Sequence, residues 1–428
     1  MLQVIIVGAG IAGLSAAISL RRAGHVVHIY ERSSTNHAIG AAINVPPNAT
    51  RFLTQWGLDP SFWRFTKSRL VTYNDPFTME TMAVHSTDKT AREIGGAELY
   101  YAHRVDLHSA LTWLATRPDG LGVPVEILLG SDVVGYNSSK PSITLAGSKE
   151  ICADLVIGAD GVHSLASQAV TGQENEPVEP SHSNQCFRFL IPSSVLEIDP
   201  DTRFWNEDCD GWTRLFPHDE TKRRLVAYPC RDNTIHNFVG IFFDDNLLAD
   251  KREDWQAKTD VTEVLQRFSD FDPRLLNVIG KATDVRRWPL LYRHPLGTWT
   301  KEYMALVGDA AHPMLPHQGQ GAAQGMEDGV ALGIVLYGAT SQKDIQERLR
   351  IYLDIRYKRA SVIQILSNVG QDQSRLVRDE LLQFIKEDEI PTTPTDNYKY
   401  NFSYDVVAAS IMEMKKHCIS FQIPDGLF

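Results

Sequence analysis

The chain has 428 residues, 43% of them hydrophobic and 22% charged, with 42 Lys and Arg against 53 Asp and Glu for a net charge of −11. That length suits two interleaved domains rather than one small core, and the composition argues against disorder. The acidic balance disfavours nucleic acid and anionic membrane surfaces as partners.

A β-branched run over residues 2–7 predicts a buried strand, residues 11–23 have helical spacing ending at Gly24, and residues 26–30 form a second strand. This is an opening βαβ unit. The apolar start lacks the basic flank of a secretory signal, and no stretch reaches the length of a membrane span. Helices are expected over 49–56 and 105–116, and strands over 125–129, 143–145 and 155–157. From about 181 to 293 helical periodicity fades into alternating segments, read as a mostly antiparallel sheet with one helix near 261–268. A strand at 304–307 and helices at 322–337 and 345–369 follow. The stretch from about 372 is expected to be helices and loops packing on the surface. Cys152, Cys186, Cys209, Cys230 and Cys418 are scattered without a C-x-x-C, which argues against a disulfide framework, a zinc site or a dithiol centre and fits a reducing cytoplasm.

Gly8-x-Gly10-x-x-Gly13 lies between the first strand and the first helix. Gly8 permits the tight turn, Gly10 lets the backbone approach a pyrophosphate, and Gly13 allows close helix–strand packing. The N–H groups that open the helix then face the phosphates. Glu31, closing the second strand, suits the two ribose hydroxyls, with Arg32 beside it; an acid at Glu31 disfavours a 2′-phosphate. This motif alone does not separate FAD from NAD.

Two further motifs follow: Asp160-Gly161 after a strand, which by itself could be a plain turn, and Gly308-Asp309-Ala310-Ala311-His312-Pro313 with Gln318-Gly319-Gln320-Gly321. Asp309 is placed to bind a polar chain such as ribityl. The helix starting near Gly321 carries a partial positive charge able to stabilise an anionic flavin edge. Glu327-Asp328, read as early helix residues, would favour the helix dipole.

With Gly40-Ala41-Ala42-Ile43, Pro47-Asn48-Ala49 and His103-Arg104-Val105-Asp106-Leu107-His108, these motifs resemble the class A flavoprotein monooxygenases, the salicylate-hydroxylase-like aromatic hydroxylases, to about Val369. The resemblance implies an α/β fold: a Rossmann-like FAD-binding domain in three layers (ββα) over 1–72, 98–180 and 290–370, interleaved with a mostly antiparallel substrate-binding sheet over 73–97 and 181–289, then a helical tail over 371–428. It implies non-covalent FAD, with NADPH or NADH as transient co-substrate and dioxygen activated as a flavin C4a-hydroperoxide. The substrate would be an aromatic or other electron-rich small molecule, hydroxylated, dearomatised or epoxidised.

By position, Glu31 resembles the adenosine-ribose ligand, Arg104 the arginine at the phosphate–ribityl region and Asp309 the second ribose or ribityl contact. Gly321 and Ala322 resemble the backbone donors at the pyrimidine edge, and Pro313 the proline beside the reactive carbon. Ala42, Asp160 and Gly319 belong to the same cofactor-binding motifs. For Arg104 a surface salt bridge is the alternative. No arginine falls between Val162 and Val170, where relatives often have one near the nicotinamide, so the NADH or NADPH preference stays open.

Arg188 and Tyr228 stand where fungal phenol-dearomatising relatives carry an arginine and a tyrosine near substrate, and are the candidate catalytic pair. Alternatively, Arg188 pairs with an acid across the sheet and Tyr228 is core. His312 fits the flavin loop better than a catalytic base. Trp205, Trp212, Phe216 and Phe242 could line a pocket, although aromatics at strand spacing are more often core. A flavin oxidase, dehydrogenase or halogenase on the same fold is the nearest rival, the last without its W-x-W-x-I-P signature here; a non-catalytic FAD-fold binding protein is the other.

Overall fold

The computed structural model describes residues 1–35, 41–178, 184–207, 209–244, 257–371 and 373–428. Gly40 of the Gly40-Ala41-Ala42-Ile43 motif lies outside these. The apolar run at the start forms strand Gln3–Val7, buried on both faces and paired in parallel with Val26–Glu31 and Leu155–Gly158. Met304–Leu306 and Glu126–Leu129 extend this sheet in parallel, and Thr300–Lys301 closes one edge antiparallel. Helix Ile11–Arg22 packs on one face with helix Gly321–Leu336, both almost wholly buried. A small antiparallel sheet of Val133–Asn137, Ser142–Leu145 and Glu150–Cys152 completes the three layers.

The second body is an eight-stranded sheet in the order Lys258–Thr259, Val285–Pro289, Gln185–Pro192, Ile235–Phe242, Arg224–Cys230, Trp212–Pro217, Leu70–Asn74 and Thr81–Ser86. Only the contact of Trp212–Pro217 with Leu70–Asn74 is parallel. The expected boundary at 72 and 73 cuts through Leu70–Asn74, whose whole length pairs in this sheet. One helix was expected between 181 and 293, but three form among the described residues: Ser193–Ile198, Val261–Arg267 and Pro273–Ile279. The last is started by Asp272, which accepts the Arg274 N–H, and by proline in its first turn. Trp205, Phe216 and Phe242 are fully buried in the core beneath this sheet, and Trp212 is half-buried at its surface. The core reading therefore holds for Trp205, Phe216 and Phe242, while Trp212 belongs neither to that core nor to the cavity lining.

A third sheet of Ala42–Val45, Tyr100–His103 and Thr66–Lys67 sits between the two bodies. The C-terminal segment is more than a surface layer. Helix Pro394–Phe402 reaches back toward the eight-stranded sheet, and Leu427 and Phe428 are buried in the main core. Among the described residues no helix is long and apolar enough to cross a membrane, and no group of three His, Cys, Asp or Glu is placed to hold a metal.

Candidate active site

The glycine loop is built as its spacing requires. Gly8 adopts φ +105°, and a Cβ there would meet the Ala159 carbonyl oxygen at 2.3 Å; a Cβ on Gly13 would sit 2.1 Å from the Gly8 carbonyl oxygen. Nothing lies within 4 Å of the Cβ position of Gly10, which begins helix Ile11–Arg22 without any side-chain cap. The helix therefore opens with unsatisfied N–H groups toward empty space. Glu31 folds back on the loop and accepts from Ala9 N at 2.7 Å and Ser33 N at 2.8 Å, leaving each oxygen a further lone pair. His108 donates from Nε2 to the Ala9 carbonyl at 2.8 Å, a support for the loop that the motif reading missed. Arg32 is exposed and does not line the cavity that Gly10 faces.

That cavity encloses about 750 Å³ between the two bodies, within the range of small-molecule sites. Gly10, Ala42, Arg104, Arg188, Tyr228, Asp309, Gly319, Gly321 and Ala322 line it; Gly8, Gly13, Glu31, Asp160 and Pro313 do not. The Asp160 carboxylate is spent on the fold. It accepts from the Tyr136 hydroxyl at 2.9 Å, Ala166 N at 3.1 Å and the Ser164 hydroxyl, so at this turn Ala159 and Gly161 face the cavity instead.

Asp309 lies deep in the molecule but is exposed to the cavity interior. Burial pushes its carboxyl above the usual range, against the pull of His312, Arg104 and Arg293. Among the described residues no donor reaches its side chain. Burial lowers the Arg104 guanidinium, and no carboxylate among the described residues comes within ion-pair distance, so the surface salt-bridge alternative for Arg104 does not hold. Helix Gly321–Leu336 starts at Gln320 with no side-chain cap, and Gly321 and Ala322 present its first turn to the cavity. Two uncapped helix starts, an acceptor without a donor and a cation without a counter-ion suit one ligand carrying phosphates, hydroxyls and an electron-poor ring edge.

Behind this wall, His312 is fully buried and donates to Asp328 Oδ2 at 2.7 Å, the oxygen that also accepts Gly308 N at 2.9 Å. It does not line the cavity. Glu327 and Asp328 do not act on the helix dipole: they lie beyond the first turn, where that effect fades, and are completely buried. Arg356 binds both, with Nε 2.9 Å from Asp328, and Arg359 approaches Glu327 at 2.9 Å through both Nε and Nη2. Asn48 adds an amide donor to Glu327 at 2.7 Å.

At the other end, Arg188 donates to the Ala42 carbonyl at 3.0 Å and stacks on the Trp288 ring at 4.5 Å. No carboxylate among the described residues pairs with it, so the cross-sheet ion pair does not form. The Tyr228 hydroxyl donates to the same carbonyl at 3.2 Å, and its ring lies 4.7 Å from that of Tyr101. Burial raises the Tyr228 hydroxyl pKa above its usual range, partly offset by Arg188. Val226, Val239 and Ile241 supply the apolar floor around the pair. Sequence reading missed Tyr73, Tyr101 and Tyr398, which also line the cavity; nothing in their local pattern marks them.

The profile of the FAD binding domain matches residues 1–364. The chain is 52% identical over 422 residues to the FAD-dependent monooxygenase cfoG of Aspergillus candidus, covering 99% of this chain and 97% of that protein. It is 32% identical over 371 residues to hispidin-3-hydroxylase of Neonothopanus nambi, covering 85% and 86%. Among solved structures, CtdE in complex with FAD and substrate 4 matches with TM-score 0.79 at 24% identity over 97% of this chain and 98% of that one. A salicylate hydroxylase substrate complex matches with TM-score 0.73 at 21% identity over 96% and 98%. At these identities the two structures speak for the fold.

Proposed function

The chain belongs to the FAD-dependent monooxygenases built on this FAD-binding domain, and from that premise we propose that its substrate is a phenol-type aromatic ring whose oxygen is held by Arg188 and Tyr228. Bound FAD supplies the route for two electrons from NADPH or NADH to dioxygen, placing one oxygen atom on the ring and releasing the other as water. Gly10 and the start of helix Ile11–Arg22 would take the pyrophosphate, and Glu31 the adenosine ribose. Arg104 and Asp309 would take the phosphate–ribityl chain, and the N–H groups of Gly321 and Ala322 the pyrimidine edge.

The carrying observation is Arg188 itself: a permanent cation on an apolar cavity wall, with no counter-ion among the described residues and one donor bonded to Ala42. A guanidinium has five donors. A phenol bound beside it ionises more readily, and the phenolate is the better nucleophile toward an electrophilic oxygen. Tyr228 stays protonated, and its single O–H would turn from the Ala42 carbonyl to the substrate oxygen, leaving that carbonyl to Arg188. The apolar side chains of Val226, Val239 and Ile241 would limit water around the reacting atoms.

The test is NADH and NADPH consumption against phenols, resorcinols and indoles, with product mass. A gain of one oxygen coupled to cofactor use is expected. Peroxide as the only product with every ring would overturn the proposal.

A further inference from the structure

The C-terminal segment beyond residue 364, outside the matched FAD-binding domain, closes one side of the cavity. Thr393 and Asp396 form a capping box that starts helix Pro394–Phe402. At its other end, Arg359 donates to the carbonyls of Tyr400 and Asn401, both at 3.0 Å, and Arg51 to that of Phe402 at 3.2 Å. Arg359 is the residue held by Glu327, so the helix is tied through one buried ion pair to the helix whose first turn faces the flavin edge.

From this helix Tyr398 projects onto the cavity wall. Its ring stacks on His85 of the edge strand at 5.4 Å and 21°, and on Phe402 at 5.2 Å and 23°. It belongs to the same apolar cluster as Tyr101 and Tyr228. Tyr101 spends its hydroxyl on Ser68 and Thr213, and Tyr228 donates to Ala42. The Tyr398 side chain is half-buried beside Tyr73 and Tyr101, and its hydroxyl has no hydrogen-bond partner among the described residues. A hydroxyl on a cavity wall that no protein group engages keeps its donor and its lone pairs for a ligand oxygen.

We propose that helix Pro394–Phe402 is the roof of the substrate cavity and that Tyr398 is its reading group, hydrogen-bonding an oxygen of the bound aromatic substrate. This rests on the phenol reading of the cavity. A site built to bond an oxygen rejects the analogue lacking it far more strongly than an apolar pocket does. The substrate class is thereby narrowed to rings with an oxygen within reach of the roof as well as one at Arg188.

The test uses the FAD-loaded full chain. Tyr398→Phe keeps the ring stack and removes one donor; FAD content and melting temperature should stay at the wild-type level. Phenol, resorcinol, 4-hydroxystyrene and 5-hydroxyindole serve as probes, titrated by their perturbation of flavin absorbance. For those the wild type binds, the dissociation constant should rise about tenfold in the variant, the scale of one lost hydrogen bond; a change under twofold for all of them overturns the role of Tyr398. If the wild type binds none, the phenol reading and the ligand assigned to Tyr398 both fall. The roof is then judged separately, without substrate, by iodide quenching of bound-flavin fluorescence. Tyr398→Ala should increase quenching, and equal quenching in an intact holoprotein overturns the roof.

Discussion

Arg188 and Tyr228 hydrogen-bond one and the same acceptor, the carbonyl oxygen of Ala42, from strands that flank a common neighbour. Arg188 lies opposite Val239 and Tyr228 opposite Asn237 on Ile235–Phe242, so all of them project from one face of the sheet. Asn237 meanwhile accepts the Ala42 N–H at 3.3 Å. Three side chains of the substrate sheet thus grip one residue of the strand preceding the Arg104 region, and the candidate oxygen-binding pair is aligned by the joint between the two bodies.

Because Ala42 keeps one donor when the other is lost, single substitutions should leave the fold intact. Arg188→Ala is expected to lower kcat/KM for a phenol by about 100-fold, the effect of losing a preorganised charge, and Tyr228→Phe by about tenfold. With Arg188 gone the substrate must ionise unaided, so the rate profile should move to higher pH. Steady-state kinetics from pH 6 to 10 checks both, and an unmoved profile would remove Arg188 from phenol ionisation.

Gly10 and Gly13 should fail in opposite ways. A side chain at Gly10 points into open cavity at an extended φ of −72° that any residue adopts, so Gly10→Val should fold normally and purify colourless. Gly13→Val drives its Cβ into the Gly8 carbonyl and should lower expression and melting temperature along with FAD content. Circular dichroism melts with flavin absorbance separate the two outcomes.

The buried cluster makes a stability prediction with a pH signature. Burial alone would raise the Glu327 carboxyl, but Arg359 and Arg356 outweigh it and hold it below its usual value. A carboxylate lowered in the folded state adds stability above its unfolded pKa and loses it as pH falls through the folded one. Glu327→Gln leaves Arg359 without its charge partner and Arg356 with Asp328 alone, and should cost about 3–5 kcal/mol at pH 7. The gap to wild type should shrink as pH drops below about 4; denaturant titrations at several pH values measure it.

His236 should show a slope of the same sign at higher pH. Burial first, and the Arg214 cation second, lower its pKa to about 3 from an ordinary 6.5. The unfolded chain therefore takes up a proton below pH 6.5 that the folded chain refuses. Stability is complete above 6.5 and lost as pH falls from there toward 3, by about 1.4 kcal/mol per unit. His236→Gln, retaining a donor toward Asn206 (3.0 Å from the ring in the wild type), should flatten this loss between pH 7.5 and 5.5 in guanidinium melts.

Much of the cofactor half is legible from local pattern. The run before Gly8, the helix up to Arg22 and the strand ending at Glu31 are periodic over short spans, and Gly8 and Gly13 are required by contacts within one turn and its packing partner. Asp160 and Glu327 were harder. Each carboxylate finds its partners only after folding: Asp160 takes Tyr136 from the small sheet, and Glu327 takes arginines from a helix some thirty residues on. The paired aromatics of the middle region read as core because strand spacing carries no information about which face meets a cavity.

What the sequence determined alone was the βαβ opening, the order of the three motifs and, through them, the dinucleotide chemistry, since hydrogen bonding and sterics within a turn depend on neighbours in the chain. The tertiary structure decided which face of the eight-stranded sheet meets the flavin side. It also decided that Ala42 receives two donors from distant strands, and that a helix from the C-terminal segment covers the cavity with Tyr398. Arg188 and Tyr228 lie 146 and 186 positions from Ala42, and these contacts exist only where packing of two sheets and the burial of an ion pair bring their residues together.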